Sequence, residues 1–124
     1  MDRKFALTGF IYAILGLLLG IFMAASKNHG QLVTHAHIML LGFVVSMLYA
    51  ITHRLWLNNI ESTLSKIQFY IHQLGTLILV IGLFLGYGHI MSLETLDPLL
   101  AGASITAFIG LLLMTVLFVQ SRRS

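Results

Sequence analysis

Four long apolar runs, about Phe5 to Ala25, His35 to Trp56, Leu64 to Gly88 and Pro98 to Gln120, alternate with short polar connectors. Each is about as long as the roughly 20 residues that an α-helix needs to cross a hydrocarbon layer. The connectors run Ser26 to Thr34, Leu57 to Thr63 and His89 to Asp97. Loops this short make consecutive helices antiparallel neighbours. Asp97-Pro98 predicts the start of the fourth helix, because proline suits a first turn and aspartate caps it. The pattern therefore predicts an all-α, integral membrane four-helix bundle that uses residues 1-124 as a single transmembrane domain.

Composition agrees with that pattern. Of the 124 residues 58% are hydrophobic and only 9% charged, where an ordinary soluble domain carries about a quarter charged residues. A chain this apolar cannot cover itself with a water-compatible surface. It has no cysteine, so neither disulfides nor thiolate ligands are available.

Charge orients the bundle. Arg3, Lys4, Arg54, Lys66, Arg122 and Arg123 fall on one side of the predicted spans, and Lys27 alone falls on the other. The positive-inside rule then places both termini in the cytoplasm, as expected for a multi-pass protein of a bacterial-type inner membrane. The net charge of +3 is explained by this asymmetry, and no nucleic-acid footprint is present.

The first run ends Met23-Ala24-Ala25-Ser26, which raises the reading of a cleaved leader. Its apolar stretch exceeds the roughly 7 to 15 residues of a leader core, which favours a retained helix. Gly16 with Gly20, and Gly82 with Gly86, are small-residue pairs read as helix-packing positions.

Six histidines stand in this apolar chain. Histidine at or inside a bilayer is costly unless it meets a partner, so each one asks for a ligand, a metal or a proton path. His29, His35, His37 and His89 are expected near the outer face, with His53 and His72 in the inner half. Residues two apart on an α-helix diverge by about 200°, so His35 and His37 serve two sites rather than one ion. Below His35 the same face carries Met39, Gly42, Ser46, Tyr49 and His53, a small and polar stripe that should face protein. Below His37 lie Leu40, Leu41, Val44, Leu48 and Ile51, a hydrocarbon wall suited to lipid, another subunit or a flat apolar cofactor. A porphyrin is such a cofactor, with axial positions that imidazole fills. His53, beside Arg54 and Trp56, reads as an interfacial belt residue, and His72 as a polar contact between helices. His29 reads as a solvated loop residue, the six methionines as packing, and Glu94 and Asp97 as a solvated cap.

Thr34-His35-Ala36-His37-Ile38-Met39 resembles the T-H-G-x-I-M stretch in the second helix of subunit I of the heme-copper oxidases. Gln68-Phe69-Tyr70-Ile71-His72-Gln73-Leu74, continuing to Leu85-Gly86-Tyr87, is similar to the third helix of the oxidase type that works with a c-type cytochrome subunit. The resemblance implies that His35 is an axial ligand of a low-spin heme near the outer face. Family subunits carry about twelve helices in three similar groups of four, so this chain resembles one group. It has no counterpart of the histidines that hold copper and the oxygen-reactive heme, so full oxygen reduction is not expected. In the family an H-x-H on the tenth helix reaches two hemes. By analogy, three copies of this chain would form a homotrimer in which His35 of one protomer faces His37 of the next across a heme.

The expected function is that of a b-type heme-binding membrane protein that transfers electrons, the heme being non-covalent because no Cys-x-x-Cys-His is present. Thr34 or a backbone carbonyl is expected to accept the second ring N–H of a ligand. His89, His72 and His53 are further candidate ligands. Two rival readings remain open. One is a copper or zinc binding or transport protein using His35, His37, His89 and Glu94. The other is a small structural subunit of a respiratory complex. Hydrolytic catalysis has little support, since no serine or carboxylate lies at depth beside a histidine in a recognisable arrangement.

Overall fold

In lipid the backbone must satisfy its own hydrogen bonds, so long runs of leucine, isoleucine and phenylalanine have the helix as their available form. A computed structural model describes residues 1–121 of the chain and shows four such helices. These are α1 (Asp2–Ser26), α2 (Leu32–Leu55), α3 (Thr63–Tyr87) and α4 (Leu93–Ser121), each long and apolar enough to cross a membrane. Lys27 ends α1 in the left-handed region at φ 56°. Ser62 caps α3 by accepting from the Ser65 amide at 3.1 Å.

The start of α4 departs from the expectation built on Pro98. The helix begins at Leu93, with Pro98 inside it. Ser92 takes the capping role instead, its Oγ accepting from the Thr95 amide at 3.1 Å. Proline is tolerated there because it withholds its N–H only from the Glu94 carbonyl four residues back, at the exposed mouth of the helix.

The helices pack as two antiparallel pairs, α1 with α2 and α3 with α4, and α2 joins the pairs by touching α3. Close approach of α3 and α4 depends on Gly75, where a Cβ would stand 2.8 Å from the Ala107 nitrogen and 3.1 Å from the Ala103 oxygen. On the other pair, Tyr12 lies over Gly42, where a Cβ would come within 2.6 Å of its ring. At one end of the bundle Phe5 is wholly buried and meets Tyr49 at 5.3 Å and Phe69 at 4.9 Å between ring centres. Met114 and Leu117 of α4 complete that cluster, so all four helices meet there. A second cluster, Leu79, Leu83 and Ala103, closes the opposite half.

The outside is hydrocarbon. Leu7, Phe10, Ile14, Leu17, Leu18 and Ile21 of α1 are each more than half exposed, as are Leu40 and Leu48 of α2 and Ile105 and Phe108 of α4. Such a surface is stable only against lipid or further protein. The chain is a multi-pass membrane protein.

Charges gather at the end where the chain begins and where α4 finishes. The Met1 ammonium contacts Glu61 at 3.1 Å, Lys4 approaches the same carboxylate at 3.7 Å, and Arg54 pairs with Asp2 at 3.3 Å. Asn59 ties the loop to α1 through the Asp2 carboxylate at 3.1 Å. Lys27 stands in the loop at the opposite end. Arg122 and Arg123 lie outside the described residues.

Candidate functional site

His35 and His37 stand in the opening α-helical turns of α2, Leu32–His37. Below them Ile38–Val45 is wound as a π-helix, and ordinary α geometry resumes over Ser46–Leu55. Wide turns of this kind are concentrated at functional sites.

The His35 ring lies over Gly20 and against the carbonyl of Gly16. Gly16 and Gly20 are four apart, so they share one face of α1. A Cβ on Gly20 would stand 3.0 Å from Cε1 of the imidazole. Nδ1 of His35 is 2.8 Å from the Gly16 carbonyl oxygen. A carbonyl can only accept, so Nδ1 carries a proton, and in the neutral ring Nε2 then carries the lone pair. His37 repeats the arrangement on its own helix, with Nδ1 donating to the Val33 carbonyl at 2.9 Å. Both imidazoles therefore present a basic Nε2 and have their other nitrogen anchored to a carbonyl, which is the way that metal-bound histidines are usually oriented.

Thr34 is not the anchor. It is wholly buried and donates to the Gln31 side-chain oxygen at 2.6 Å, while Gln31 donates to the Phe84 carbonyl at 3.0 Å. This pair fastens the start of α2 to the end of α3 and leaves the histidines to the α1 carbonyl and to α2 itself.

The two faces below the histidines are as different as their residue types. Gly42, Ser46, Tyr49 and His53 are buried and Met39 half-buried, while Leu40, Val44, Leu48 and Ile51 are exposed; Leu41, expected on that open wall, instead packs half-buried against the Leu79, Leu83 and Ala103 cluster. His37 thus stands above an uncovered hydrocarbon wall. Gly16 has the packing role expected of it, since a Cβ there would collide with Met39 and Ile38 of α2, whereas Gly20 leaves room for the His35 imidazole.

Deeper in the bundle His53 departs from the belt reading. It is wholly buried, its ring stacks on Phe5 at 5.6 Å and 23°, and neither ring nitrogen has a hydrogen-bond partner among the described residues. Phe5 reaches across from α1 and covers it, a tertiary contact that the neighbouring Arg54 and Trp56 gave no hint of. Trp56 does occupy a peripheral position, half exposed with its ring 5.9 Å from Phe118. His72 is the interhelix contact expected of it, with Nε2 2.9 Å from the Ser46 Oγ and Nδ1 without a partner among the described residues. Phe5 packs against both rings, at 5.6 Å from His53 and 5.9 Å from His72.

His89 is exposed in the turn between α3 and α4, at φ 60°, and lines a cavity of about 460 Å³ with Leu19, Phe22, Gln31, Phe84 and Tyr87. His29 is exposed in the first loop, and Glu94 and Asp97 are exposed near the start of α4. Among the described residues no three histidine, aspartate or glutamate side chains converge as a metal site. Ions held by His35, His37, His89 and Glu94 together would need ligands from more than one protomer.

No protein-family model, curated protein or solved structure matches this chain.

Proposed function

We propose that the protein is a b-type heme-binding protein of a bacterial-type cytoplasmic membrane, with both termini in the cytoplasm, that passes electrons through heme held by His35 and His37. The observation that carries this reading is the shared orientation of the two rings, each with Nδ1 tied to a carbonyl and Nε2 left basic. The exposed leucine and valine wall under His37 offers the apolar contact that a porphyrin face requires. When bound, a bis-imidazole iron supplies one-electron transfer and little oxygen binding.

The two rings serve different directions, so one chain supplies half of each ligand pair. A closed ring of three copies sets His35 of one protomer opposite His37 of the next and makes every interface equivalent. This assembly would mimic the three four-helix groups of the heme-copper oxidase subunit that the His35 stretch resembles. Copper binding is the alternative use of the same imidazoles.

The test is an absorption spectrum of the detergent-extracted protein, oxidised and then reduced, after production with ample porphyrin precursor. Sharp, split α and β bands on reduction are expected, carried by a particle of three protomers. His35→Ala and His37→Ala should each remove the bands, and His29→Ala should keep them. Porphyrin-free material would overturn the heme reading, and a heme-loaded monomer would overturn the shared ligation.

A further inference from the structure

A cleft between α1 and α2 opens at the charged end of the bundle, away from the outer histidines. It is a cavity of about 280 Å³ lined by Arg3 and Ala6 of α1 and by Met47, Ala50, Ile51 and Arg54 of α2. On each helix these residues recur at steps of three and four, so each set forms one face. From Arg54 to Met47 the cleft runs about 10 Å along the helix, at 1.5 Å per residue. Ala6 and Ala50 are too small to fill it. A turn deeper the helices come together at Gly9, where a Cβ would stand 3.2 Å from the Met47 sulfur.

The mouth of the cleft is basic. Arg54 is largely exposed and gives one N–H to Asp2 at 3.3 Å, which leaves most of its guanidinium fork unspent. Arg3 is exposed, and its guanidinium has no ion pair among the described residues. Asp2 lines the same cleft, but its Oδ1 accepts from the Arg3 amide at 2.7 Å and its Oδ2 from Arg54 and from Asn59 at 3.1 Å. Lys4 and the Met1 ammonium turn to Glu61 instead. With Asp2 balancing Arg54, the Arg3 charge remains over, and the cleft is positive by one. A planar guanidinium matches the oxygens of a phosphate. Basic pockets between membrane helices hold the headgroups of anionic lipids.

We propose that this cleft is a binding site for a phospholipid with one net negative charge, its phosphate held between Arg3 and Arg54 and the start of an acyl chain laid along Ala6, Ala50, Ile51 and Met47. The two ends of the cleft suit the two ends of such a molecule. Charge lies at the rim of the span, where a headgroup sits, and the lining below it is apolar. A free phosphate would use the rim alone and leave the alanine-lined part unfilled, so the occupant is the lipid. Met47, whose thioether side chain is flexible, can adapt to a chain at the closed end. The site lies at the opposite end of α2 from His35 and His37, so it does not depend on what those imidazoles hold.

The test is native mass spectrometry of the full chain released from vesicles that hold equal amounts of phosphatidylglycerol and phosphatidylcholine with the same acyl chains. Phosphatidylglycerol should be enriched among the lipids that stay bound. Each basic side chain near an anionic headgroup contributes about 1 kcal/mol, so Arg3→Gln should lower that enrichment roughly fivefold. Arg3 has no partner to lose, so this variant keeps the fold, and Arg3→Lys should keep most of the enrichment. Arg54→Gln should lower it at least as far as Arg3→Gln does. Lys66→Gln removes a positive charge from the same end of the bundle but outside the cleft, and should leave it unchanged. Inorganic phosphate in excess should not displace the lipid. Equal retention of the two lipids, enrichment indifferent to Arg3→Gln, an equal loss in Lys66→Gln, or displacement by inorganic phosphate would each overturn the proposal.

Discussion

Nδ1 of His35 lies 2.8 Å from the carbonyl oxygen of Gly16, so a glycine on one helix sets the proton and the aim of an imidazole on the next. The ring reaches that carbonyl only because Gly20, a turn later, leaves it room. A side chain at position 20 would push the ring off its acceptor. If His35 holds heme as proposed, Gly20→Leu should weaken its retention by roughly 10–100-fold, the usual effect of disturbing the groups that orient a metal ligand. Heme titration of the variant in detergent measures this, and unchanged affinity would show that the room left by Gly20 does not aim the ring.

Gly75 and Gly102 make opposite predictions although both are glycines facing or flanking the α3–α4 pair. A Cβ at Gly75 meets the α4 backbone, which cannot swing aside. Gly75→Ala should cost about 1–3 kcal/mol, as overpacking does. A Cβ at Gly102 meets nothing within 4 Å, so Gly102→Ala should stay within about 0.5 kcal/mol of the parent. Unfolding in mixed detergent micelles compares the two.

Ser46 gives His72 its one hydrogen bond at a depth where water is scarce. Removing the hydroxyl leaves a second nitrogen of the same ring unpaired. Ser46→Ala should destabilise the fold by about 1–3 kcal/mol, and a Ser46→Ala/His72→Phe double variant should recover part of the loss. Additive losses in that cycle would show that the two side chains are not coupled.

Glu61 links the loop to both the terminal ammonium and Lys4. The hydrogen bond from the Met1 ammonium, followed by the charge of Lys4, holds its carboxyl below the ordinary 4.5. A carboxyl made more acidic by folding adds stability above its unfolded pKa and loses it as pH falls through the folded value. Glu61→Gln should therefore be less stable than the parent at neutral pH. The difference should start to close as pH falls past about 4.5 and disappear in stronger acid. Thermal unfolding of both proteins across that range checks the sign.

Much of this was legible from residue order. The four spans follow from hydrocarbon runs that water would not tolerate, and the buried stripe Gly42, Ser46 and Tyr49 follows from helical spacing alone. What local patterns hide is contact between distant segments. Arg54 and Trp56 read as markers of a membrane edge and both are exposed, yet His53 beside them is covered by Phe5 from α1. Pro98 resembles a helix start because its favoured backbone angle fits one, but the Ser92 hydroxyl caps the helix earlier. Nor does any residue type announce a π-helix, since Ile38–Val45 has the composition of any apolar helix.

That wide-wound stretch separates two jobs on one rod. Above it α2 leans its imidazole on α1, and below it the same helix offers Ser46 to α3. Each residue gained or lost in the winding turns one half against the other by on the order of 100°. If the stretch tightened to the common pitch, His35 and Ser46 could not both keep their present neighbours. The outer imidazole and the central Ser46–His72 contact are thus geared together, and a twist imposed at either is felt as torque at the other.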